Sequence, residues 1–127
     1  MKKLTQEQLD KILKDHFEWL KDNEKGKRAN LSYANLSSTN LSNTYLSYVN
    51  LSYADLSYAN LFNANLFNAD LSSTYLSGAN LSHVNLSHAN LSHANLSNTY
   101  LFNAKFSLLC PKGHLKSEKE YKCRRCK

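Results

Sequence analysis

Ala29-Asn30-Leu31-Ser32-Tyr33-Ala34-Asn35-Leu36-Ser37-Ser38 opens a stretch in which leucine returns at every fifth residue from Leu31 to Leu101, after which Phe106 takes the next such place. Residues 29 to 108 hold sixteen of these five-residue units in unbroken succession. Two residues before each central side chain stands a small or β-branched one, as at Ala34, Thr39, Thr44, Val49 and Ala54. The residue between them is nearly always Asn or Asp, and the residue after the leucine is nearly always Ser.

A period of five fits neither simple element. On an α-helix, five residues leave successive leucines about 140° apart, so they spiral round the axis without forming a buried stripe. On a flat strand, side chains alternate with a period of two, so Leu31 and Leu36 would lie on opposite faces. The remaining solution places the small residue and the leucine of each unit on one side and bends the chain before the next unit. Repeated bends of one hand then close into a coil with every leucine inside.

Ala34-Asn35-Leu36-Ser37-Ser38 and Ala59-Asn60-Leu61-Phe62-Asn63 resemble the repeats of the pentapeptide-repeat family, whose consensus is Ala-(Asp/Asn)-Leu-x-x. The resemblance covers all sixteen units. It implies a β-solenoid, specifically a right-handed quadrilateral β-helix with four units per coil and therefore about four coils. In such a coil each leucine lies above the one twenty residues earlier, as in Leu31, Leu51, Leu71 and Leu91. The interior beside each leucine admits only Ala, Thr or Val, and the Asn, Asp and Ser columns are placed to hydrogen-bond the turn backbone. Tyr45, Tyr75 and Tyr100 stand where Asn or Asp is usual, so they are expected to lose that bond and to present a ring at a corner.

Residues 1–28 precede the repeats. Leu4 to about Asn23 reads as an amphipathic helix, with Thr5 as its cap, Gln8 completing a capping box, and Leu4 and Leu9 placed for a hydrophobic staple. Leu9, Ile12, Leu13, Phe17 and Leu20 form its apolar stripe, with His16 and Trp19 at the edges. An open β-helix end exposes apolar surface and unpaired strand edges, so this helix is expected to cap the end of the 29–108 solenoid.

The net charge of +6 is uneven: residues 1–28 contribute +2, residues 29–108 contribute −1, and the 109–127 tail contributes +5. The tail carries Cys110-Pro111-Lys112-Gly113-His114 and Cys123-Arg124-Arg125-Cys126, two short pairs separated by eight residues. Cys110, His114, Cys123 and Cys126 supply three thiolates and an imidazole, the donor set of a closed structural Zn²⁺ site. The pattern resembles miniature zinc ribbons that begin Cys-Pro-x-Gly-His and end Cys-x-x-Cys. The alternative is an unstructured basic tail with three free thiols, whose charge brushes nucleic acid or an anionic membrane. Three cysteines also argue against a disulfide framework.

No constellation for catalysis stands out: there is no glycine-rich phosphate loop, and Asp55 and Asp70 are three corners apart, so a non-enzymatic protein is expected. No apolar run is long enough to span a membrane, and Met1 to Leu20 lacks the apolar core of a signal peptide, which points to the cytoplasm. His83, His88 and His93 turn onto different faces, with Asn63, Asn68 and Ser73 as their column neighbours, which argues against a shared metal. The outward rings are the better candidates for a partner surface, namely Tyr33 with Tyr53 and Phe62 with Phe102. Arg124 and Arg125 add a basic patch suited to nucleic acid or an acidic protein. The expected role is a protein-binding scaffold, as a monomer or end-to-end dimer. Two alternatives are a nucleic-acid-binding adaptor working through the tail and a DNA-mimicking modulator of type II topoisomerase. The last needs a strongly negative surface, which a stretch at −1 does not offer.

Overall fold

The computed structural model describes residues 2–109 and 115–116, so Cys110, His114, Cys123, Arg124, Arg125 and Cys126 lie outside the described residues. From Asn30 onward, parallel bridges join each Asn/Asp position to the one twenty residues later, including Asn30 with Asn50, Asp55 with Tyr75 and Asn80 with Tyr100. The chain therefore passes over itself once in every four units.

The repeat unit accounts for all of its backbone N–H groups. In the unit around Leu31, the Leu31 N–H donates to Asn50 O at 2.7 Å and the Tyr33 N–H to Ser52 O at 3.0 Å, both one coil on. The Ala34 N–H turns back to Leu31 O at 3.2 Å, and the Asn50 N–H, one coil later, returns to Ala29 O at 3.3 Å. The Ser32 N–H donates to the Asn30 side-chain oxygen at 3.1 Å. A corner that carries Asn or Asp thus closes without an orphaned donor, the condition for burying a chain that is mostly turns.

At every corner the residue two after the leucine is left-handed. Fourteen non-glycine residues take φ between 55° and 65°, among them Tyr33, Asn63 and His83, and Gly78 takes 71°. Positive φ at the third residue of a four-residue turn closed by an i to i+3 bond is the type II arrangement. Asn and His tolerate this region better than most L-residues, whereas the tyrosines there are held by the surrounding ladder at a cost of about 1 kcal/mol or more each.

The side chains inside the coil are as the five-residue period requires. Every repeat leucine from Leu31 to Leu86 is buried, with Ala54, Val49, Val84 and Thr74 beside them. Thr74 enters the interior because its hydroxyl donates to Leu71 O at 2.8 Å. Burying each leucine is worth roughly 1.5–3 kcal/mol before entropy is counted. Burial fades toward the last described coil, where Leu96 is 37% and Leu101 36% exposed.

Helix α1 (Gln6–Lys21) starts at Thr5 with both bonds of the capping box: the Gln8 N–H donates to Thr5 Oγ1 and the Thr5 N–H to Gln8 Oε1. The chain leaves through Gly26, φ 65°, passing so close to the helix that a Cβ there would sit 2.2 Å from Asp15 O. Strand β1 (Lys2–Lys3) pairs in parallel with β2 (Ala34–Asn35). At the other end β3 (Asn85–Ser87), β4 (Lys105–Leu109) and β5 (Leu115–Lys116) form one small sheet, with β5 antiparallel to β4.

One detail of α1 departs from the apolar stripe read in the sequence. Leu9 and His16 are its buried residues, while Phe17 is exposed, so the docked face centres on Leu9, Ile12, Leu13 and His16. An imidazole can occupy the centre because both ring nitrogens find backbone partners, as described below.

Replacing Leu71 by Asp places an unpaired charge among fully buried leucines and is expected to prevent folding, by several kcal/mol. His88→Asp, on an exposed corner, is expected to lose only its edge-on contact with Phe67, about 1 kcal/mol, and still to fold. Equal melting temperatures for the two variants would contradict the leucine column as the core.

Candidate interaction surface

The corners carry the features that could engage another molecule, and their chemistry follows from the Asn/Asp column. In twelve units the Asn or Asp side-chain oxygen accepts the N–H two residues on. Asp55 and Asp70 act here as corner acceptors like the asparagines, since the bond needs only an oxygen. In six units the adjoining Ser hydroxyl donates to that same oxygen, as Ser32 Oγ does to Asn30 at 2.7 Å, rather than to turn backbone.

Tyr45, Tyr75 and Tyr100 lack an oxygen within reach of that N–H, and all three rings are exposed. At the first of them α1 docks. The Phe17 ring lies 5.2 Å from Tyr45, Trp19 packs edge-on against Tyr48 at 6.2 Å, and Ser47 between them is buried. His16 completes the joint: its Nδ1 accepts the Ala29 N–H at 2.9 Å, and its Nε2 lies 2.9 Å from Ser47 O. The first bond requires an unprotonated Nδ1, so the proton sits on Nε2 and donates to Ser47. His16, which the sequence placed at the helix edge, thus ties α1 to the start and the fourth side of the first coil.

Further along, the aromatic residues form ridges. Tyr33 and Tyr53 stack face to face, 4.9 Å apart and 1° from parallel, as their twenty-residue spacing requires. Phe62 and Phe102 do not touch each other; His83 stands between them, edge-on to Phe62 at 5.3 Å and to Phe102 at 5.7 Å. On the next corner Phe67 is edge-on to Tyr48 at 5.8 Å and to His88 at 5.6 Å. The histidines therefore engage rings nineteen or twenty-one residues away, rather than only the column neighbours Asn63 and Asn68. The diagonal arises because the phenylalanines occupy the first corner position and the histidines the second. Phe62 is 40% and Phe102 70% exposed, so this ridge faces solvent.

The ridges stand on an almost uncharged body: between Ala29 and Phe106 the charged residues are Asp55, Asp70 and Lys105. Among the described residues no group of three or more His, Cys, Asp or Glu is placed to hold a metal ion. No helix among them is long and apolar enough to cross a membrane. Shallow open clefts lie where α1 meets the first coil, one lined by Ile12, Asp15, Lys27 and Arg28, another by Trp19, Lys21, Asn23 and Tyr48.

A coil closed every twenty residues, with leucines inside and turns at every fifth residue, defines a β-solenoid of five-residue repeats. The sequence matches the family description "Pentapeptide repeats" in eight copies, over residues 27–61, 59–98 and 69–107, and the chain belongs to that family. A pentapeptide-repeat protein of the Arabidopsis thaliana thylakoid lumen is 33% identical, over 61% of this chain and 55% of its own, with a TM-score of 0.60. The fold is the right-handed β-helix of such proteins. HetL of Nostoc sp. PCC 7120, a pentapeptide-repeat protein involved in heterocyst differentiation regulation, is 31% identical over 71% of this chain and 44% of its own, with a TM-score of 0.44. QnrB1, a plasmid-mediated fluoroquinolone resistance protein, is 20% identical over 61% of this chain and 59% of its own in its trypsin-treated form, with a TM-score of 0.37. The chain thus spans about half the length of these structures. No curated protein sequence matches it.

Edge-on aromatic pairs add about 0.5–1.5 kcal/mol each. His83→Asn keeps a residue suited to the left-handed corner but removes two such contacts, so it is expected to lower the urea-unfolding free energy by about 1 kcal/mol or more. His93→Asn, on the Tyr33 and Tyr53 column, is expected to change it little. Equal effects of the two would contradict the ridge.

Proposed function

We propose that the protein is a non-enzymatic, cytoplasmic scaffold that binds another protein through the aromatic corners of its solenoid. The observation that carries this reading is the exposed Phe62, His83 and Phe102 ridge on a rigid, nearly uncharged body, supported by the Tyr33 and Tyr53 stack on another corner. Aromatic residues are enriched, and charges depleted, at the centres of protein interfaces. In this reading residues 29–108 form about four coils, and residues 1–28 provide the lid of one end, as the packing of Leu4, Leu9, Ile12 and Leu13 on the core supports. Cross-linking in intact cells is expected to join the parent protein to a second protein, and the variant Phe62→Ser/Phe102→Ser to lose that product while melting near the parent temperature. An unchanged cross-linking pattern would refute the ridge as the binding surface. Gyrase supercoiling is expected to be unaffected by micromolar protein, because a body at −1 cannot imitate phosphates; clear inhibition or quinolone protection would favour the topoisomerase reading.

The tail forms the second part of the proposal. Cys110, His114, Cys123 and Cys126 would hold one structural Zn²⁺, with Arg124 and Arg125 beside it as a basic patch for nucleic acid or an acidic protein. The donor set fits zinc, and the neighbouring Lys and Arg residues favour the thiolates. Support also comes from the pairing of β4 with β5, Leu108 opposite Lys116 and Leu109 opposite Leu115. That register sets Leu109 and Leu115, the described residues that flank Cys110 and His114 in the sequence, side by side. Protein purified without chelator is expected to carry about one zinc per chain, lost in Cys123→Ser. Metal-free protein with a protease-resistant tail would refute the site.

A further inference from the structure

We propose that His16 is a proton-operated latch, and that protonation of its imidazole releases α1 from the first coil. The ring is fully buried and its two nitrogens are committed to backbone groups of opposite character, an N–H donor at Ala29 and a carbonyl at Ser47. A second ring proton would have to sit on Nδ1, directed at the Ala29 N–H. That step breaks the Ala29 bond, sets two donors against each other and leaves a cation in a site closed to water.

The groups around the ring do not relieve the charge. The nearby Arg28 is itself cationic, and no Asp or Glu occurs between Ala29 and Ala54 in the coil that receives α1. On α1 the flanking carboxylates are engaged, Asp15 with Lys11 at 3.3 Å and Glu18 with Lys21 at 3.0 Å. The remaining neighbours are rings: Trp19 stacks on His16 at 5.6 Å, and Tyr48 packs against Trp19. Burial pushes the His16 pKa below its ordinary 6.5, the Ser47 hydrogen bond opposes this, and Arg28 lowers it further. Because the docked value lies below the free one, the docked state binds fewer protons. Docking is at full strength above pH 6.5 and weakens as the pH falls below that value.

The chain carries a single tryptophan, Trp19, and it reports on this joint directly. Its emission, followed from about pH 8 to pH 5, is expected to shift to longer wavelength below pH 6.5 while the far-ultraviolet β signal of the solenoid persists. His16→Gln, which keeps a polar side chain without a titrating ring, is expected to abolish the transition. Arg28→Gln, which removes the repelling charge, is expected to move it to lower pH. A flat emission in the parent protein, an unchanged transition in His16→Gln, or a shift to higher pH in Arg28→Gln would each overturn the latch.

Discussion

The structure depends on the hydrogen bond between the Asn or Asp oxygen of each unit and the N–H two residues on. Turns occupy so much of this chain that ordinary strand pairing leaves one donor per corner without a partner. The side-chain oxygen satisfies it from within the same unit, as Asn30 does for Ser32 at 3.1 Å. With that donor settled, the other four amides of the unit are free to join coil to coil or to close the turn. The corner can then repeat indefinitely, and the leucines it turns inward stack without a break from Leu31 to Leu86.

The same bond explains where the protein departs from uniformity. Tyrosine cannot supply the oxygen, so Tyr45, Tyr75 and Tyr100 each forgo a corner bond and gain an exposed ring. At Tyr45 that exchange has a visible result: the unit Tyr45 to Tyr48 receives α1 through two ring contacts and the His16 to Ser47 hydrogen bond. The helix docks where the repeat is broken. Its connection is equally constrained, since Gly26 leaves no room for a side chain against the Asp15 carbonyl.

Much of this was legible in the residues. The five-residue leucine period gave the coil, the Asn/Asp column its corner acceptors, and Thr5 with Gln8 the start of α1. The Tyr33 and Tyr53 stack followed from their twenty-residue spacing. What escaped was diagonal or dependent on tertiary partners. His83 meets Phe62 and Phe102 because first and second corner positions lie side by side on neighbouring coils, a relation that column counting overlooks. His16 read as an edge residue because nothing local shows that Ala29 and Ser47 will offer it a donor and an acceptor. The left-handed corner had a signal in its Asn, His, Ser and Gly content, which the tyrosines at Tyr33, Tyr48, Tyr53 and Tyr58 masked.

Residue-resolved amide hydrogen exchange tests the backbone account most directly. The leucine, left-handed-corner and Asn/Asp amides within residues 31–86 are expected to exchange slowly, with the amide just after each leucine faster because it is held only by a surface side chain. Protection is expected to fall at Leu91, Leu96 and Leu101, where the leucines begin to open to solvent. Rapid exchange throughout residues 31–86, or protection without a five-residue period, would contradict a coil built on these bonds.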